Sequence, residues 1–179
     1  MTVSGVWGMD NNIRINAFSG SLVFDNKDRI LLLQRLARSR RPDSWEIPGG
    51  GGVSSDLTVQ DACVRNLMEQ TGLRPRHVER IISGGIGSMP GVTSSNQAGH
   101  HPIEQREYFF VDVDDMQVVE LDFSKHQDFV WVTEEDVLDQ FFGVEIITLA
   151  HPYMLNVLRR AFEVRLSGKE RKTEAMTRG

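Results

Sequence analysis

The chain has one cysteine in 179 residues, Cys63, so no disulfide can form within it, and a lone thiol suits a reducing compartment. It has no run of 18 or more apolar residues, which leaves no candidate for a membrane-spanning helix. It has no basic surplus. Twenty Lys and Arg stand against 25 Asp and Glu, a net charge of −5, which argues against a general nucleic-acid or anionic-membrane surface. The first residues, MTVSGVWGMDNN, lack a basic segment followed by an apolar one, so no signal peptide is read and a cytoplasmic location is the default expectation. No internal repeat and no long linker is visible.

What is present is ordinary for a globular domain: 40% hydrophobic and 25% charged residues. The length suits one domain with a sizeable core. Residues 1–15 read as an N-terminal arm, 16–166 as a single domain and 167–179 as a frayed tail. FSGSLVFD (18–25) and RILLLQRL (29–36) read as strands joined by the turn DNKD into an opening hairpin. Thr58 is placed to cap a helix, with Asp61 in its first turn. Val59, Ala62, Cys63 and Leu67 recur at helical spacing toward a core, and Gly72 stands just past the helix end. HVERIISGGIG, REYFFVDVD and DFVWV read as further strands, and HPYMLNVLRRAFEVRL (151–166) as an amphipathic helix. The alternation gives a mixed α/β fold, a sheet between helices. Residues 89–103 form a long polar stretch of the kind that is often functional.

The stretch WEIPGGGG…DLT…R…L…E…TGL, with this order of elements, resembles the Nudix superfamily and its signature G-x5-E-x7-R-E-U-x-E-E-x-G-U, where U is apolar. The resemblance covers roughly residues 16 to 165 and implies an α/β/α sandwich. Gly51, Arg65, Leu67, Glu69, Gly72 and Leu73 match the signature. Leu57, Asn66 and Gln70 stand where the family has glutamates, and Lys125 stands where many members place a further metal-reaching glutamate. The resemblance implies Mg²⁺ or Mn²⁺ held by box carboxylates and used against a diphosphate. Here the carboxamides of Asn66 and Gln70 carry no charge, and Lys125 brings a positive one. A resident metal is therefore not expected, although Glu69 with the substrate's phosphates would suffice for one ion if hydrolase activity is retained. One consequence is an expected ion pair between Lys125 and Glu69. Arg65 is implied to tie the helix to the glycine loop, with part of that network missing because Leu57 replaces a glutamate.

Acid–base candidates are His100, His101, Glu104 and Glu107 in GHHPIEQRE, Glu46 before the glycines, and Glu69. Substrate-binding candidates are Arg35, at the end of a strand, Gly49, Gly50 and Lys125. The expected partner is a small-molecule substrate, with neither nucleic acid nor membrane. The first functional reading is a repurposed enzyme acting on a small metabolite by acid–base chemistry: isomerisation, cyclisation, elimination or hydrolysis. The alternatives are a weak Mg²⁺- or Mn²⁺-dependent hydrolase of nucleoside or isoprenoid diphosphates, and a non-catalytic metabolite-binding module.

Overall fold

The computed structural model describes residues 9–10, 13–84, 103–114 and 118–177. In chain order the elements are β1 (Met9–Asp10), β2 (Ile13–Leu22), β3 (Ile30–Arg35), β4 (Trp45–Glu46), β5 (Gly49–Gly51), α1 (Val59–Thr71), β6 (Pro75–Gly84) and β7 (Ile103–Val113). They continue with β8 (His126–Val132), α2 (Glu134–Asp139), β9 (Phe141–Phe142), β10 (Glu145–Ile146) and α3 (Met154–Thr177).

Two sheets carry the fold. In one, β2 runs parallel to β7, β6 is antiparallel to β7, and β5 and β1 pair with β2. In the other, β3 lies between β4 and β8, both antiparallel to it. The turn at residues 25–28 forms as its sequence suggests, with Asp25 N–H bonded to Arg29 O. The expected hairpin is nevertheless brief. After the Phe24–Ile30 bridge its two strands part into different sheets, because β2 takes β5 and β7 as partners while β3 takes β4 and β8.

Two apolar clusters make the layers. Leu22, Ile30, Leu32, Trp45, Ile47 and Val130 pack against Val157, Leu158 and Phe162 of α3. Val23, Leu31, Leu33, Phe109 and Val111 pack against Cys63 and Leu67 of α1. Adjacent β3 residues thus feed opposite clusters, the period of two of a strand covered on both faces. The result is the mixed α/β sandwich expected from the sequence. Cys63 is fully buried and its Sγ lies 3.0 Å from Ser21 Oγ.

Helix α1 starts and stops as read. Thr58 accepts from Asp61 N–H, Asp61 accepts in return from Thr58 N–H, and Gly72 takes a left-handed conformation with φ 68°. At the chain ends the structure extends the elements. Strand β2 already begins at Ile13, inside the span read as an arm. Helix α3 runs to Thr177, past Leu166, where fraying was expected. Arg165 and Lys169 both pair with Asp28 of the first turn, which ties the helix down beyond its apolar stretch.

Candidate functional site

The glycine segment is held from two sides. Gly49, Gly50 and Gly51 pair with Gly20, Ser19 and Phe18 of β2. A Cβ at Gly49 would lie 2.3 Å from Ser19 O, so only glycine lets these backbones approach. From the other side α1 grips the segment with the two carboxamides of its box. Gln70 donates Nε2–H to Gly49 O at 2.8 Å and accepts Gly49 N–H at 3.0 Å. Asn66 donates Nδ2–H to Ala62 O at 2.8 Å and to Gly51 O at 3.3 Å. Both side chains are buried, with 6% exposure. They serve as clamps that a carboxylate could not imitate, since each uses an N–H donor. Gly49, expected to contact substrate, has its N–H and its C=O engaged by Gln70, so its backbone bonds are structural. Gly50 O accepts from Ser19 Oγ at 3.2 Å.

Arg65 ties the helix to this loop through Gly51 O at 3.0 Å. The network expected to be incomplete at Leu57 is complete one residue earlier. Asp56 accepts from Arg65 Nε at 3.0 Å and from Nη2 at 3.0 Å, and also from Val53 N–H at 2.8 Å. The Arg65 bonds, helped by the one from Val53 N–H, hold its carboxyl below the usual range despite burial. Leu57 itself points outward, 69% exposed.

Glu69 lies on the exposed side of the same helix. Its Oε2 accepts from Lys125 Nζ at 3.1 Å, and both of its oxygens lie 3.3 Å from Arg65 Nη1. Lys125 first, and Arg65 with it, hold the Glu69 carboxyl below the ordinary value. The ion pair expected between Lys125 and Glu69 is present. Asp122 stands 3.8 Å from Lys125 Nζ. A divalent ion of the Mg²⁺ type wants hard, charged oxygens. This face supplies one carboxylate already shared by two cations, and two amides engaged with the glycine segment. Among the described residues no group of three or more His, Cys, Asp or Glu is placed to hold a metal. As arranged, these residues do not fit such an ion.

A second cluster lies beside it. His126 directly follows Lys125, and its Nε2 is 3.1 Å from Glu46 Oε1. Arg35 donates Nη1–H to both Glu46 oxygens, at 3.0 and 2.8 Å. Burial pushes the Glu46 carboxyl up, but the bonds from His126 and Arg35 together outweigh it and hold the group below its ordinary value. His126 is 3% exposed, and its Nδ1 has no hydrogen-bond partner among the described residues; the same holds for Arg35 Nε. With an ionised Glu46 accepting at Nε2–H, Nδ1 is the ring atom left over. His126 carried no role in the sequence reading. Its signal was its position beside Lys125 at the start of an apolar strand.

The remaining candidates divide. Glu107 is buried in β7, opposite Ser19 of β2. Glu104 lies in the same strand, opposite Asn16. His100 and His101 lie outside the described residues. Nearer the glycines, the Arg106 guanidinium sits over the Phe18 ring at 5.0 Å and the Tyr153 ring at 4.6 Å, and His151 stacks on Tyr153.

Among curated proteins, the chain resembles the RNA pyrophosphohydrolases of Xanthomonas campestris pv. campestris and Stenotrophomonas maltophilia, 44% identical over 55 residues. The match takes in 31% of this chain and spans only 24% of those relatives' length. Among solved structures, the MutT protein from Methanosarcina mazei Go1 aligns with a TM-score of 0.56 at 20% identity, over 87% of this chain and 99% of that one. The NUDIX domain of Shewanella oneidensis NrtR, solved in complex with ADP ribose, aligns with a TM-score of 0.60 at 18% identity, over 88% and 90%. At such identities the structural likeness speaks for the fold. The family model for the NUDIX domain matches residues 16–149, from the middle of β2 to the residues before α3, and the chain belongs to that family.

Proposed function

We propose that this is a repurposed Nudix-fold enzyme that acts on a small phosphate-bearing metabolite by acid–base chemistry, without the family's box metal. The observation that carries the reading is the Glu46–His126 contact at the foot of the glycine turn. A carboxylate and an imidazole lie within hydrogen-bond distance through Oε1 and Nε2, and Arg35 fixes the carboxylate from its other side. Histidine exchanges protons near neutrality, and a carboxylate partner sets its tautomer and orientation. The neighbouring Lys125 and Arg65 supply positive charge for a phosphate.

The test is turnover on a panel of nucleoside and isoprenoid diphosphates and their derivatives, with Mg²⁺, with Mn²⁺ and with EDTA. The reading requires activity that survives EDTA and falls by roughly 100-fold or more in Glu46→Gln or His126→Gln. Metal-dependent turnover lost in Glu69→Gln would instead establish the second reading, a residual diphosphate hydrolase. That reading draws on the exposure of Glu69, 44% at its side chain, and on the matched stretch shared with the RNA pyrophosphohydrolases.

A further inference from the structure

We infer that Lys125 is a built-in cation: its ammonium serves Glu69 in place of a divalent ion and takes a phosphate group of the ligand directly. This rests on the reading that the box no longer works through a metal, and it names the group that replaces one.

The placement of Lys125 is fixed by backbone bonds to α1. Asp122 N–H bonds to Gln70 O and Glu120 N–H to Thr71 O, so the segment leading into β8 is fastened to the last turn of the helix. Lys125 N–H and His126 N–H both return to Asp122 O, closing a turn. Asp122 is itself held by Ser124, through N–H at 2.9 Å and Oγ–H at 2.6 Å. Lys125 therefore reaches Glu69 from a braced turn, across 56 residues of sequence.

The ammonium is left with binding capacity. Nζ carries three N–H donors. Glu69 takes one, and Asp122, at 3.8 Å, stands beyond hydrogen-bond length. Both Lys125 and Glu69 are more than two-fifths exposed, and an ion pair so exposed contributes little to stability. It can be re-partnered by a phosphate without disturbing the fold. A divalent ion meets the opposite situation, since it must displace two cations from one carboxylate and finds no second carboxylate on the helix face, where Asn66 and Gln70 are tied to the glycine segment.

Two binding measurements test this without any substrate being known. Calorimetry in EDTA should show inorganic pyrophosphate bound by the wild-type protein, weakened by about tenfold or more in Lys125→Ala and largely retained in Lys125→Arg. Mn²⁺ titration followed by electron paramagnetic resonance should show no ion bound through Glu69 in the wild type. Lys125→Glu should gain Mn²⁺ binding, and adding Glu69→Gln should remove it again. Circular dichroism of each variant guards against misfolding, and Lys125→Arg keeps the phosphate arm decisive should Lys125→Glu fail to fold. Mn²⁺ binding by the wild type that disappears in Glu69→Gln overturns the inference. So does an absence of pyrophosphate binding in EDTA, or binding indifferent to Lys125→Ala. Metal-free turnover indifferent to Glu46→Gln would sink the acid–base reading alone and leave this one standing.

Discussion

His126 Nε2 and Glu46 Oε1 lie 3.1 Å apart and join strands separated by 80 residues of sequence. The bond, with that from Arg35, keeps Glu46 ionised to a pH below its ordinary value of 4.5. A depressed carboxyl contributes stability that is present above the unfolded-state value and lost as the pH falls through the folded one. Glu46→Gln should therefore cost about 2 kcal/mol at neutral pH, and the gap to wild type should narrow below about pH 4.5. Urea midpoints measured from neutral to acid pH check this. A gap that stays constant would mean that the charge of Glu46 is immaterial.

Asp56 and Leu57 are neighbours with opposite consequences. The Asp56 side chain is 4% exposed and accepts hydrogen bonds from Arg65 and from Val53 N–H. Asp56→Ala should destabilise by roughly 3 kcal/mol, because Arg65 loses its buried partner. Leu57→Ala, at an exposed site, should stay within about 0.5 kcal/mol of wild type. Equal losses in chemical denaturation would refute the view that Asp56 completes the arginine network.

Returning Gln70 to the family's glutamate should weaken the protein. Gln70→Glu removes the N–H that Gly49 O accepts and sets a carboxylate oxygen against that carbonyl. A loss of about 1–3 kcal/mol is expected, lessened at low pH where the new carboxyl can donate. A thermal melt of this variant with and without Mg²⁺ would show whether an ion can compensate. Full rescue by Mg²⁺ would argue that the face accepts a metal after all.

The glycines of the loop are not equivalent. Gly49→Ala would press its Cβ into Ser19 O, while a Cβ at Gly51 meets nothing within 4 Å. The first substitution should cost about 3 kcal/mol or more and the second less than about 1 kcal/mol. Soluble yield and urea midpoints of the pair distinguish the two positions.

Helix α1 was legible to the residue because its signals are local: Thr58 and Asp61 bond each other across three positions, and Gly72 supplies a turn that other residues resist. The Lys125–Glu69 pair was legible only through the family pattern, which places two distant positions at one site. The role of Asp56 was hidden because a signature counts positions, whereas Arg65 needs only a carboxylate within reach. The parting of the first two strands and the length of α3 depend on partners far along the chain, β7 for one and Asp28 for the other. His126 had no reading of its own in the sequence, and its ring became a candidate only when folding set it against Glu46.

The sole thiol of the chain is also a clock. Cys63 is closed off between α1 and β2, and burial pushes it up to about 11, so it stays protonated at neutral pH. A thiol reagent can reach it only when helix and sheet part. Labelling rates at that one sulfur therefore time the opening of the layer that carries the box, and adding pyrophosphate should slow them if the ligand braces helix α1.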